Sequence, residues 1–287
     1  VRPIKRMLLA GLFGWIVLSG CERPDQPDKV VESNQVDPLI LAVQPYDLPS
    51  SVQQHFAPLQ DYLSDVLKRP VKLYIATSYE DQIQKVLSNK ADLVYMGPTI
   101  YVKTQKIQKR AQRPLKPIVT EPPYRGVVVV HEQSDIQTMS QLRHKRLALG
   151  AYFSYAGHFA AREALNQAGM QLADLSLYSF LQRHHRAVMS VVYRHFDAAA
   201  TTEGIARRMI SQGHPLRIIH STKPLAPIVL AANHHLPDAL TERLQIALLN
   251  PTFEQELTLS LFSPQGYRPY QGQHYREVER TMTHFER

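Results

Sequence analysis

Cysteine is almost absent: Cys21 is the only one in 287 residues, so no disulfide can form within the chain. Long apolar runs are missing too. The N-terminal run from Met7 to Leu18 would span about 18 Å as a helix, well short of a hydrocarbon core of about 30 Å, and so points to a cleaved signal rather than a permanent transmembrane helix, with an uncleaved signal anchor as the alternative. The signatures of enzymes are equally scarce. There is no Gly-x-Ser-x-Gly, no Cys–His pair and no phosphate loop, so catalysis has no positive sign and no cofactor is expected. Histidine is plentiful, at 13 residues, yet the pairs His184-His185 and His234-His235 are adjacent and do not share a helix face. With no His-x₃-His set near a carboxylate, a metal site is not expected.

The composition that remains is ordinary for folded protein, with 44% hydrophobic and 20% charged residues. Its length suits two lobes of about 100–150 residues each. The formal charge is +8, to which Arg2, Lys5 and Arg6 contribute without any nearby acid. A surplus of this size weakly favours anionic ligands or surfaces. Lys103, Lys106, Lys109, Arg110 and Arg113 form the one basic cluster; lacking interleaved aromatics, it reads as the solvated face of a helix, and no nucleic-acid partner is expected.

A basic start, a short apolar run and Leu18-Ser19-Gly20-Cys21 are the parts of a secretory signal that ends in a bacterial lipobox. Residues 1–21 are therefore expected to be a lipoprotein signal peptide, with Cys21 lipidated, and residues 22–37, polar and proline-bearing, a flexible tether. This places the protein in the periplasm, lipid-anchored to a bacterial membrane.

The body begins at Leu39-Ile40-Leu41-Ala42-Val43, an apolar run typical of a strand buried on both faces. Val52, Phe56, Leu59, Leu63 and Leu67 then recur at helical spacing. Strands at 71–76 and 92–96 alternate with helices at 79–89 and 100–111. After a crossing at Glu121-Pro122-Pro123-Tyr124 the pattern resumes with strands at 126–130, 146–149, 175–180 and 196–200. Helices are expected at 140–143, 156–168, 184–193 and 203–211, and a second crossing near Ile218 to Thr222. The fold class is α/β: two lobes, each a mostly parallel sheet flanked by helices, with a ligand cleft between them. Residues 38–121 with 222–287 make lobe 1, and residues 122–221 make lobe 2.

Asp92-Leu93-Val94-Tyr95-Met96-Gly97-Pro98 with Tyr101, and before it Tyr62-Leu63, resemble the first lobe of the phosphonate-binding periplasmic protein family. Tyr124 to Val129, Ser154 to Gly157, His184 and Asp197 to Ala200 resemble the second, and Pro227-Ile228-Val229 and Gly266-Tyr267 its tail. The resemblance covers Leu39 to the C-terminus. It implies a solute-binding protein with the periplasmic-binding fold, capturing phosphonate, phosphite or phosphate-like oxyanions for an ABC permease in the inner membrane, as a monomer. The same lobes could instead present their ligand to a membrane sensor kinase.

Helix N-termini bind oxyanions without needing a lysine, and three such starts, at Ser50-Ser51, Pro98-Thr99 and Ser154 to Gly157, follow strand C-termini. Ser51 and Thr99 are the hydroxyls favoured in lobe 1, and Tyr46, Tyr95 and Tyr101 its aromatic candidates. Where the family usually shows Ser-Thr-Ser-Gly, this chain has Ser154-Tyr155-Ala156-Gly157, so two hydroxyls are displaced or missing. His184, with His185 as rival, corresponds to the family's binding histidine. Asp197 and Glu203 lie near carboxylates that in some members meet an aminoalkyl group.

Overall fold

The computed structural model describes residues 37–286. The expected signal segment, the lipidation site at Cys21 and all of the tether except its last residue lie outside them.

Alternating apolar strands and amphipathic helices wind two five-stranded sheets. The first runs in the order β2 (Val71–Ile75), β1 (Leu39–Val43), β3 (Leu93–Met96), β10 (Val229–Ala232) and β4 (Lys116–Thr120). The second runs β7 (Leu177–Phe180), β6 (Arg146–Leu149), β8 (Ala198–Thr202), β5 (Gly126–His131) and β9 (Leu216–Ser221). In each, one strand is reversed: β10 pairs antiparallel with β3 and β4, and β5 with β8 and β9. These are the strands that follow a crossing between the sheets. Both sheets are thus mixed, with four strands running one way and the fifth against them.

Each sheet is covered on both faces, which is why its central strands read as continuous apolar runs. Leu41, Val43, Phe56, Leu63 and Leu93 pack one face of the first sheet, and Ala42, Val94, Met96 and Ile100 the other. In the second sheet Val128, Val130 and Leu147 face one way and Val127, Val129 and Ala148 the other.

Three readings of the sequence change. The segment Leu216–Ser221, taken in part as a crossing, is strand β9, and the chain crosses after it. Strand β4 was not foreseen; Pro117 masks it, and its place at the sheet edge is where a strand tolerates proline. The expected helix at 156–168 opens as a π turn, Tyr155–Phe159, before α4 (Ala160–Gln167).

The two crossings bind each other. Leu225 N donates to Tyr124 O at 2.7 Å and Glu121 N to Ile228 O at 3.0 Å, forming a short two-stranded connection. The last helix, α9 (His274–Phe285), packs on α3 (Pro98–Arg110) through the Lys106–Glu279 ion pair and on the π turn through Val278, Met282 and Phe159. It thus touches elements of both lobes. Among the described residues no helix is long and apolar enough to cross a membrane.

Candidate functional site

Six helical segments start at strand C-termini and contribute residues to the space between the sheets. They are α1 (Pro49–Leu67) after β1, α2 (Tyr79–Leu87) after β2, α3 after β3, the π turn after β6, α5 (His184–Val192) after β7 and α6 (Glu203–Ser211) after β8. Two of them open with proline, Pro49 and Pro98, whose missing N–H removes one of the donors that a helix start leaves unpaired. Around a cavity of about 400 Å³ these starts contribute Ser51, Tyr79, Pro98, Ser154, Tyr155, His184 and Gly204. Summed, their partial positive charges suit a group with several acceptor oxygens.

The lobe 2 side is tightly built. Ser154 Oγ accepts from Gly157 N at 3.0 Å and lies 3.1 Å from His184 Nε2. With the ring proton on Nε2 and given to Ser154 Oγ, the hydroxyl keeps its own proton for a ligand, and Nδ1 is left as a buried acceptor without a partner. Burial lowers the His184 pKa to about 4, so the ring is neutral at ordinary pH and acts as a dipole. Gly157 is bare for a reason: a Cβ there would stand 2.9 Å from His184 Cε1 and 3.1 Å from Gly150 Cα.

Protein groups also join the lobes directly. His184 N donates to Tyr46 O at 3.1 Å, Arg183 Nη1 to Asp47 O at 2.9 Å, and Arg208 pairs with the Asp47 carboxylate. Asp47 is buried (2% exposed) whereas Arg208 keeps a wet face.

On the lobe 1 side Phe56, Tyr95 and Phe262 form an edge-to-face cluster with centroids 4.8–5.5 Å apart, and its first two rings line the cavity. The Tyr95 hydroxyl donates to Glu121, whose pKa burial pushes upward and this hydrogen bond pulls back.

Of the residues singled out from sequence, Tyr46, Ser51, Tyr95, Ser154, Tyr155 and His184 line this one cavity. The others stand elsewhere. Thr99 is fully buried beneath the start of α3 with its hydroxyl unpartnered. Tyr101 turns into the core and shares a hydrogen bond with the Tyr270 hydroxyl at 3.1 Å. Ala156 and Gly157 sit behind Ser154 as packing and backbone. Asp197 lies before β8, at the sheet end away from the helix starts, and is held by Arg146 at 2.8 Å. Glu203 turns aside to Arg207 at 2.6 Å, although Thr202 and Gly204 on either side of it reach the cavity. His185 lies on the surface with Leu48 and Arg186.

Sequence reasoning missed Gln44, Asp47, Glu121 and Arg208. Gln44 Oε1 accepts from Gly97 N at 2.7 Å and orders the loop before α3. Glu121 had a signal: a carboxylate at a crossing faces the cleft by construction. Arg208 had none, being one of several charges on an ordinary helix.

Among solved structures, PhnD1 from Prochlorococcus marinus in complex with methylphosphonate superposes with a TM-score of 0.77 at 19% identity, over 86% of this chain and 98% of that one. A binding protein component of an ABC phosphonate transporter from Pseudomonas aeruginosa gives 0.73 at 15% identity, over 85% of each. A Xanthomonas citri protein bound to chloride gives 0.69 at 20%, over 86% of this chain and 99% of that one. These likenesses establish the two-lobed periplasmic-binding fold. Residues 41–275 match the family model described as ABC transporter, phosphonate, periplasmic substrate-binding protein, and the chain belongs to that family of solute-binding transport proteins.

Proposed function

We propose that this protein captures a small phosphonate, phosphite or phosphate-like oxyanion in the periplasm and delivers it to an ABC permease. The convergence of six helix starts on one cavity, with Ser154 and His184 hydrogen-bonded at its lobe 2 end, carries this reading. Helix N–H groups and neutral donors hold an oxyanion without a dedicated lysine, which suits reversible capture and release. Residues 38–121 with 222–287 and residues 122–221 act as the two lobes, and the paired crossings serve as their hinge. Ligand shifts the balance toward the closed lobes, and the permease reads that conformation. The protein works by binding alone, without chemistry on its ligand. Cys21 carries a lipid that keeps the monomer at the membrane surface.

Support for the oxyanion end comes from donor chemistry: Ser154, the Gly204 region and the N-terminal turn of α3 offer donors to one volume. Calorimetric titration with phosphate, phosphite, methylphosphonate and 2-aminoethylphosphonate tests it. One-to-one, sub-micromolar binding of any of these is expected. Ser154→Ala should weaken that binding roughly tenfold to a hundredfold, the loss of one charge-assisted hydrogen bond. A folded protein that binds none of the panel would overturn the oxyanion assignment.

A further inference from the structure

The walls of the cleft cavity hold more aromatic residues than an inorganic anion calls for. Seven of the 21 residues that line it are phenylalanine or tyrosine, a third, against 8% of the whole chain. Four others of the lining set the same tone or sharpen it: Phe56, Phe153, Ile205 and Ile228 carry no polar atom beyond the backbone. They come from every side of the cleft. Phe56 stands on α1 in lobe 1, Phe153 on the loop after β6 and Ile205 on α6 in lobe 2, and Ile228 at the second crossing. Phe56, Phe153 and Ile205 are buried, and Phe56 is held edge-to-face by Tyr95 and Phe262, so these walls stand before any ligand arrives. Charge offers an anion little by comparison. Among the described residues that line the cavity, Arg208 is the only lysine or arginine, and it is committed to Asp47. Burial lowers the pKa of both lining histidines, His55 and His184. The volume agrees with the walls. About 400 Å³, apolar with a few convergent donors, falls among cavities of roughly 300–1,000 Å³ that enclose organic ligands, and exceeds what a four-oxygen anion needs.

We infer that the ligand is an organophosphonate with an apolar body about the size of a phenyl ring. Its oxyanion sits at Ser154 and the helix starts, and its body lies between Phe56 of lobe 1 and Phe153 and Ile205 of lobe 2. This rests on the capture reading above for the anionic end and names the part of the ligand which that reading leaves open. Burying apolar surface raises affinity by about fourfold per methylene, and aromatic contacts add to this for a ring. Inorganic phosphate and phosphite gain none of it, and methylphosphonate gains little.

Calorimetric titration of the full-length protein at three temperatures tests the inference, with phosphate, phosphite, methylphosphonate, propylphosphonate and benzylphosphonate as ligands. Propylphosphonate should bind about tenfold tighter than methylphosphonate, and benzylphosphonate at least thirtyfold tighter. The heat-capacity change on binding should grow more negative in the same order, as apolar surface leaves water. Phe153→Ala should cut the preference for benzylphosphonate over methylphosphonate at least tenfold, and Ile205→Thr, close in shape, should cut it in part. The readout is the ratio of two affinities, which a general loosening of the fold does not move, and thermal melts confirm that each variant is folded. Benzylphosphonate binding no tighter than methylphosphonate or phosphate would overturn the inference and leave the capture reading standing. A preference that survives both substitutions would overturn it too. Benzyl alcohol, which lacks the oxyanion, separates the two ends. If it binds and every anion fails, the apolar site stands and the oxyanion reading falls; if nothing binds, both fall.

Discussion

Lowering the pH from 7 toward 4 should unfold this protein before its carboxylates protonate. The cause is a pair of buried histidines. His158 is fully buried between Tyr152, Phe159 and Phe180, with Nδ1 2.7 Å from Tyr152 O and Nε2 unpartnered. His184 is buried in the cleft as described. Burial lowers both pKa values to about 4, against 6.5 for an exposed histidine. In the window between 4 and 6.5 the unfolded chain binds these protons and the folded one does not. Stability is therefore complete above about 6.5 and is lost as pH falls through the window. Each ring costs on the order of 3 kcal/mol over that span, and the two together rival the 5–15 kcal/mol of a typical folded domain. Near pH 5 the slope should approach about 2.7 kcal/mol per pH unit, twice the single-proton value. His55, His220 and His234 are lowered as well and add with the same sign, whereas Glu121, raised by burial, opposes them. Urea denaturation followed by circular dichroism at half-unit steps from pH 7.5 to 4.5 measures the slope. His184→Asn, of similar shape but without a titrating ring, should remove nearly half of it. A midpoint that stays constant from pH 7 to 5, or a slope that His184→Asn leaves unchanged, would refute the argument.

Gly157→Ala should destabilise the fold by about 1–3 kcal/mol and weaken ligand binding, since its Cβ meets the Gly150 backbone and the His184 ring together; a melting temperature equal to that of the unaltered protein would show that the turn can yield. Arg208→Ala leaves the Asp47 carboxylate buried with no counter-charge, its remaining donor being the Leu48 N–H at 2.8 Å. It should lower stability by about 2 kcal/mol, less than for a fully buried pair because Arg208 is partly exposed, and should enlarge the radius of gyration in X-ray scattering; an unchanged radius would deny the pair any part in closure. Tyr155→Ala removes a buried ring that packs with Phe159 against Val278 and Met282 of α9. A loss of about 3 kcal/mol is expected, with greater amide exchange in α9 than in α7 (Asp238–Leu249), which lies on the other face of the first sheet.

The order of strands and helices is legible because each buried strand is a pure apolar run and each helix repeats its apolar residues at helical spacing. Leu39–Val43 and Gly126–His131 announce themselves in this way. Strand β4 does not, since Pro117 and an edge position blur its pattern. The cleft was legible where chemistry is local. Ser154 caps its own turn and His184 begins a helix, and both follow a strand end. Tyr101 went astray because the residues at the start of α3 leave open which face turns inward, and its hydroxyl finds Tyr270, distant in sequence. Asp197 follows a motif into the second lobe, yet its salt bridge with Arg146 belongs to the opposite end of the sheet. Arg208 and Asp47 meet across 161 positions of sequence, and no local pattern encodes such a contact.

Glu121 lies in one of the two crossings, which hydrogen-bond to each other and serve, in the proposed function, as the axle of lobe motion. Displacement grows with distance from an axle, so a group mounted on it keeps its aim at every opening angle. On the proposed closure, the stretch of cavity wall at Glu121 therefore faces a ligand even while the lobes stand apart, whereas the ties from Asp47 to Arg183 and Arg208 form only as they meet. Capture and retention would in this way fall to different residues. Substitutions at the axle should act on the association rate, and substitutions at the ties on the dissociation rate, so stopped-flow traces can assign each group to its moment in the cycle.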